Sequence, residues 1–139
     1  MILFHSETDF TLPDKEIYSS WISGAISKMQ KEVGAINYIF CKDAYLLKIN
    51  QKHLKHNTLT DIISFDYSEN DKLAGDIYIS IERVTENADK YKVSFANELQ
   101  RVLIHGILHF AGFNDKTKEE KIEMRAQENF YLALLSFLI

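Results

Sequence analysis

Residues 94–112, SFANELQRVLIHGILHFAG, constrain this chain more than any other stretch. Ser94 suits a helix cap, because its hydroxyl can accept a bond from a free N–H of the first turn. Phe95, Leu99, Val102, Leu103, Gly106 and Phe110 then recur at the spacing that lines one helical face. Gly112 provides a stop. A helix with so continuous an apolar stripe gains most of its stability by burying it. We therefore expect this helix at the centre of the molecule.

The flanking segments supply what it packs against. Residues 2–6 read as a short strand. Pro13 and Asp14 signal a helix start, and Ile17, Trp21, Ile22, Ala25, Ile26, Met29 and Val33 follow at helical spacing up to Gly34, the expected stop. AINYIFC is rich in strand formers. KDAYLLKINQKHLKH reads as a second helix with Ala44, Leu47 and Leu54 among its apolar positions. TDIISFDY and DIYISIE, joined by polar SENDKLAG, read as an antiparallel hairpin. ERVTENADKY reads as a short helix. Thr117 and Glu120 form a capping box for a last helix, with Ile122, Ala126, Phe130, Ala133, Leu134, Phe137 and Leu138 expected on its buried side. The predicted fold is α+β: a small mixed sheet packed with about five helices, over residues 1–139 as a single domain.

With 139 residues, the chain is long enough to bury a core. One proline and five glycines leave no obvious linker. A net charge of −4 argues against a generally basic nucleic-acid binder, so any such contact needs a local patch. The single cysteine, Cys41, lies in an apolar run, which suggests a buried thiol in a reducing cytoplasm. The opening residues do not read as a secretory signal, and no apolar run approaches the roughly 20 residues of a membrane helix. The apolar FYLALLSFLI is expected as the buried end of the last helix.

The chemistry concentrates in HGILHFAGFND, residues 105–115. His105 and His109 stand four apart, so they project from one helical face a single turn apart. Their stripe, 98–102–105–109, runs beside the core stripe. Gly112 breaks the helix and lets Asp115 turn back toward the same point. Three protein ligands with an open fourth position is the pattern of a catalytic zinc. Phe110 and Phe113 are expected as an apolar rim, and Glu98 as an acceptor for an imidazole N–H. H-E-x-x-H zinc proteases place their general base after the first histidine, where this chain has Gly106, so peptide hydrolysis is disfavoured. The residues alone leave two other readings open. The histidines and the GFNDKT turn can be plain structure. The donor set also suits a two-histidine, one-carboxylate iron oxygenase, although a helical H-x-x-x-H is unusual there, a point of fold analogy.

The stretch resembles the YbeY family signature H-G-x-L-H-x-x-G-[FY]-D-H, with His105, Gly106, Leu108, His109, Gly112 and Phe113 in register. NQKHLKHNTLTDIISF is similar to the family's N-x-x-[YF]-R-x-x-D-x-P-T-D-V-L-S-F through Asn50, Thr60, Asp61, Ser64 and Phe65. AGDI matches its L-G-D-I at Gly75, Asp76 and Ile77. The correspondence covers nearly the whole chain. Three positions depart from it: Asp115 stands at the third ligand histidine, Leu54 at an arginine linked to activity, and Leu59 at a proline. Carboxylate for imidazole keeps a zinc donor and lowers the site's net charge by one.

This resemblance implies a cytoplasmic single-strand-specific metallo-endoribonuclease of ribosomal RNA maturation and ribosome quality control. The implied partners are single-stranded RNA and the ribosome or its small subunit. The implied cofactor is one Zn²⁺ per chain on His105, His109 and Asp115. A non-catalytic ribosome-assembly factor with a structural metal is the alternative. Lys48, Lys52, His53, Lys55 and His56 form the best phosphate-binding patch in the sequence, with Lys52 or Lys55 as substitutes for the missing arginine. Tyr67 and Tyr78 are candidates for base stacking. Glu98, Asp61 and Asp76 are the candidate general bases.

Overall fold

The computed structural model describes residues 1–54 and 60–139, with the backbone alone at Leu54. Four strands, β1 (Ile2–Ser6), β2 (Glu32–Cys41), β3 (Ile62–Asp66) and β4 (Lys72–Ser80), form one mixed sheet in the order β1-β2-β4-β3. β1, β2 and β4 are parallel, and β3 runs antiparallel along β4. The expected hairpin therefore forms, with Asn70 in the left-handed region at its turn. Helices α1 (Lys15–Lys28), α2 (Asp43–Ile49), α3 (Ile81–Tyr91), α4 (Phe95–Phe110) and α5 (Lys118–Leu135) complete the α+β fold. A π-helical turn, Asn50–Leu54, follows α2.

The sheet's side chains explain the layering. On one face Ile36, Tyr38 and Phe40 of β2 and Ile77 and Ile79 of β4 are fully buried, together with Leu103, Ile104 and Ile107 of α4. Tyr38 donates its hydroxyl to the Leu103 carbonyl at 2.8 Å, satisfying a polar group that would otherwise be costly inside the core. Gly106 is where α4 touches the sheet: a Cβ there would lie 2.9 Å from Ile77 Cδ1. The glycine lets the helix axis approach β4 and so sets the height of His105 and His109 above the sheet. The other face carries a smaller cluster of Cys41, Leu46 and Ile63. α4 is thus central, with α3 and α5 beside it.

Four local expectations change. α1 ends at Lys28 rather than at Gly34, because Gln30 takes a left-handed conformation (φ 61°) and Lys31 N–H returns to the Ile26 carbonyl at 3.1 Å. Val33 and Gly34 belong to β2. The buried residue of α2 is Leu46, while Ala44 is exposed. α5 buries Met124, Glu128, Tyr131 and Leu135, leaving Ile122 and Phe130 at 63% and 49% exposure. The true stripe passes through a charged residue, so a search for apolar periodicity settles on the wrong face. The helix stops at Leu135, and Phe137, Leu138 and Ile139 are exposed rather than buried. Among the described residues, no helix is long and apolar enough to cross a membrane.

Candidate metal centre

Three devices already legible in the sequence bring the donors together. Ser94 caps α4 by accepting from Asn97 N–H at 3.0 Å. Gly112, at φ 105°, reverses the chain after α4, a conformation that side-chain-bearing residues rarely adopt. The capping box then starts α5: Thr117 accepts from Glu120 N–H at 3.1 Å, and Glu120 accepts from Thr117 N–H at 2.9 Å. Asp115 is held between these two helix ends.

There the three predicted ligands converge. His105 Nε2 and His109 Nε2 lie 3.0 Å apart. Asp115 Oδ2 lies 3.2 Å from the first and 3.3 Å from the second. Tetrahedral ligands each about 2.05 Å from an ion stand about 3.3 Å from one another. The donor set therefore matches one face of a tetrahedral site in chemistry and spacing, with the fourth direction left to the cleft. His109 and Asp115 are half-buried, so the group borders the core, as its stripe suggested.

One residue the sequence reading missed holds the arrangement in place. Glu128, buried on α5, accepts from His105 Nδ1–H at 2.7 Å through Oε2 and from Arg101 at 2.8 Å through Oε1. Arg101 also donates to Asn129 Oδ1 at 2.9 Å. A carboxylate on Nδ1 fixes the proton there and leaves Nε2 with a lone pair aimed at His109 and Asp115. Burial alone would raise the Glu128 pKa, but hydrogen bonds from His105 and Arg101 hold it below the usual glutamate value. Burial alone would lower that of His105, but Glu128's hydrogen bond and charge raise it. Glu98 does not take the expected role, because Glu128 occupies the acceptor position. The available signal was a glutamate in phase with Met124, Tyr131 and Leu135 at positions 124, 128, 131 and 135.

The donors open into a cleft of about 410 Å³. Thr60, Asp61 and Ser64 line one wall, so the segment similar to T-D-V-L-S-F faces the metal ligands. Glu98 and Asp61 bring two carboxyl groups to it. Burial pushes both pKa values up, helped at Glu98 by the charge of Asp61 and opposed at Asp61 by His105, so each is a group able to hold or accept a proton. Asp76 does not share the cleft; it accepts from Asn37 Nδ2 at 3.2 Å on the sheet. Phe110 and Phe113 do not form the rim. Phe110 is buried over Gly75, and the apolar lining comes from Ile62 and Val102.

The described residues of the expected phosphate patch lie elsewhere. Lys48, Lys52 and His53 are exposed on α2 and the π-helical turn and do not line the cleft. Lys55, His56, Leu59 and the Leu54 side chain lie outside the described residues. Tyr67 is exposed on the hairpin, and Tyr78 packs edge-on to Phe65, with ring centroids 6.0 Å apart. Neither lines the cleft.

Comparison with known proteins identifies the family. The family model described as endoribonuclease YbeY matches residues 4–136. The endoribonuclease YbeY of Flavobacterium psychrophilum is 54% identical over 134 residues, covering 96% of each chain. That of Christiangramia forsetii is 53% identical, covering 96% of this chain and 93% of its own. The solution structure of TM1509 from Thermotoga maritima superposes with a TM-score of 0.71 at 26% identity, covering 97% of this chain and 89% of that one.

Proposed function

The chain belongs to the endoribonuclease YbeY family, and from that premise we propose that it is a zinc-dependent endonuclease for single-stranded RNA. The cellular reading is 3′-end maturation of 16S ribosomal RNA and ribosome quality control in the cytoplasm, acting on the small subunit. The observation that carries the chemistry is the mutual 3.0–3.3 Å spacing of two imidazole nitrogens and a carboxylate oxygen at the mouth of a cleft. That spacing supports His105, His109 and Asp115 as the ligands of one ion.

A bound zinc ion supplies Lewis acidity toward a phosphoryl oxygen and lowers the pKa of water. The chain's own residues do the rest. Glu128 keeps His105 in the tautomer that presents Nε2. Asp115 brings a negative charge at the position of the family signature's third histidine, which favours retention of a divalent cation. Asp61 and Glu98, both lining the cleft, are the candidates to take a proton from the attacking group and return one to the leaving oxygen. Ile62 and Val102 supply the apolar part of the cleft wall.

The test is cleavage of a single-stranded RNA by purified protein. Activity abolished by chelation and restored by zinc supports the proposal; intact RNA under loaded conditions refutes it. Leu54, at the resembling arginine's position, favours as second reading an assembly factor with a structural metal. Structural zinc sites are closed by four protein ligands. Three donors facing a cleft fit the enzyme better, and chelation that unfolds the protein without any RNA cleavage would favour the structural role.

A further inference from the structure

The cleft continues into a second groove along α5. It begins at His105 and Asp115 and runs past Lys118, Lys121, Ile122 and Arg125. At about 100° per residue, Lys118, Lys121 and Arg125 fall within an arc of about 60° on the helix. Glu119, Glu120 and Glu123 fall on the opposite side by the same count, Glu120 being turned back into the capping box. The exposed charges of the helix are thus segregated by sign, with the buried Glu128 the one acid on the basic side, and that side borders the metal ligands.

The three cations are exposed, and among the described residues neither lysine forms an ion pair. Arg125 reaches Glu128 only at 3.8 Å, and Glu128 is already neutralised by Arg101 at 2.8 Å. Between the cations, Ile122 is 63% exposed and Met124 forms a buried apolar floor. A row of exposed cations, two of them without an ion pair among the described residues, above an apolar floor fits a strand that alternates phosphate and unstacked base. In a chain of net charge −4, such a one-signed row needs a reason.

We propose that this α5 groove is the track for the RNA strand on one side of the scissile phosphate, with phosphates at Lys118, Lys121 and Arg125 and a base resting on Ile122. The proposal rests on the endoribonuclease reading of the adjoining site. It moves the phosphate contacts from the α2 patch, read from sequence, to α5, and it supplies cations beside the metal ligands where Leu54 supplies none.

The test uses the intact, zinc-loaded protein and a fluorescein-labelled, 12-nucleotide 2′-O-methyl RNA, with binding followed by anisotropy across a salt series. Each phosphate neutralised on a single strand contributes about 0.7 to the slope of log affinity against log salt. The triple variant Lys118→Ala, Lys121→Ala, Arg125→Ala should flatten the slope by about 2 and weaken binding roughly a hundredfold near 0.1 M salt. Zinc content should equal that of wild type, and Lys48→Ala with Lys52→Ala should leave the slope unchanged. Ile122→Ser should weaken binding without altering the slope. An unchanged slope in the triple variant overturns the proposal, as does a loss confined to the α2 double variant. Competition by poly-glutamate as strong as that by RNA of equal charge would identify an acidic polypeptide as the occupant, and also overturns it. A wild-type chain without zinc refutes the metal reading instead, and the slope comparison still decides the track.

Discussion

Replacing Glu128 with alanine removes the acceptor shared by His105 and Arg101. The magnitude follows from what is left behind. Glu128 is 6% exposed and Arg101 19%, so the guanidinium loses its carboxylate in a place water reaches poorly. Removing one partner of a buried ion pair costs about 3–5 kcal/mol. Arg101 keeps Asn129 at 2.9 Å, which places the expected loss near the lower end, about 3 kcal/mol. With an unfolding entropy of about 2.1 cal/mol/K per residue, 139 residues give about 290 cal/mol/K, and the loss corresponds to about 10 °C in Tm. Zinc affinity should fall about 10- to 100-fold, because His105 Nδ1–H loses the group that orients it. Glu128→Gln keeps an acceptor oxygen without the charge and should lie between the two proteins. Calorimetry and zinc titration against a competing chelator measure both quantities. A Glu128→Ala variant with unchanged Tm and unchanged zinc affinity would refute the reasoning. The same residue predicts an acid dependence. Its folded pKa is lowered, so its contribution is complete above the unfolded value of about 4.3 and is lost as the pH falls through the lower folded value. Wild type should therefore lose more stability below about pH 4 than Glu128→Gln does.

Three further outcomes are expected. Asp115→Ala should weaken zinc binding markedly and Asp115→His should preserve it, as read by chelator competition; equal affinity in all three proteins would make Asp115 a turn residue only. Gly112→Ala places a Cβ at φ 105° and should cost about 1–3 kcal/mol in chemical denaturation, with zinc affinity reduced because the turn delivers Asp115. The Cys41 thiol is fully buried and its pKa is pushed up to about 12, chiefly by burial, so at pH 8 only about one thiol in ten thousand is ionised. Native protein should resist Ellman's reagent and react at once in denaturant; rapid native labelling would contradict the buried position.

What was legible in the sequence is what local chemistry encodes. Ser94, Gly112 and the Thr117–Glu120 box are contacts within a few residues, and each appears where the sequence places it. The spacing of His105 and His109 is likewise a property of one helix. The mixed sheet followed from runs of β-branched and aromatic residues. The misses are long-range. Glu128 is buried because Arg101, 27 residues earlier, and His105, 23 residues earlier, pair with it. An apolar count excludes such a residue by construction, so the face of α5 was misassigned and Glu98 was given the role Glu128 performs. α1 stops early because Gln30 accepts a left-handed conformation, which residue identity alone does not announce. The basic row on α5 was hidden for a related reason: it is split among glutamates in sequence and separates from them only once the helix is wound.

The most direct measurement is the anomalous scattering of crystals grown with zinc. The account predicts a single strong peak about 2 Å from His105 Nε2, His109 Nε2 and Asp115 Oδ2, with its remaining coordination open to the cleft. A peak held by other side chains, or none at those three atoms while Asp115 points to solvent, would contradict it.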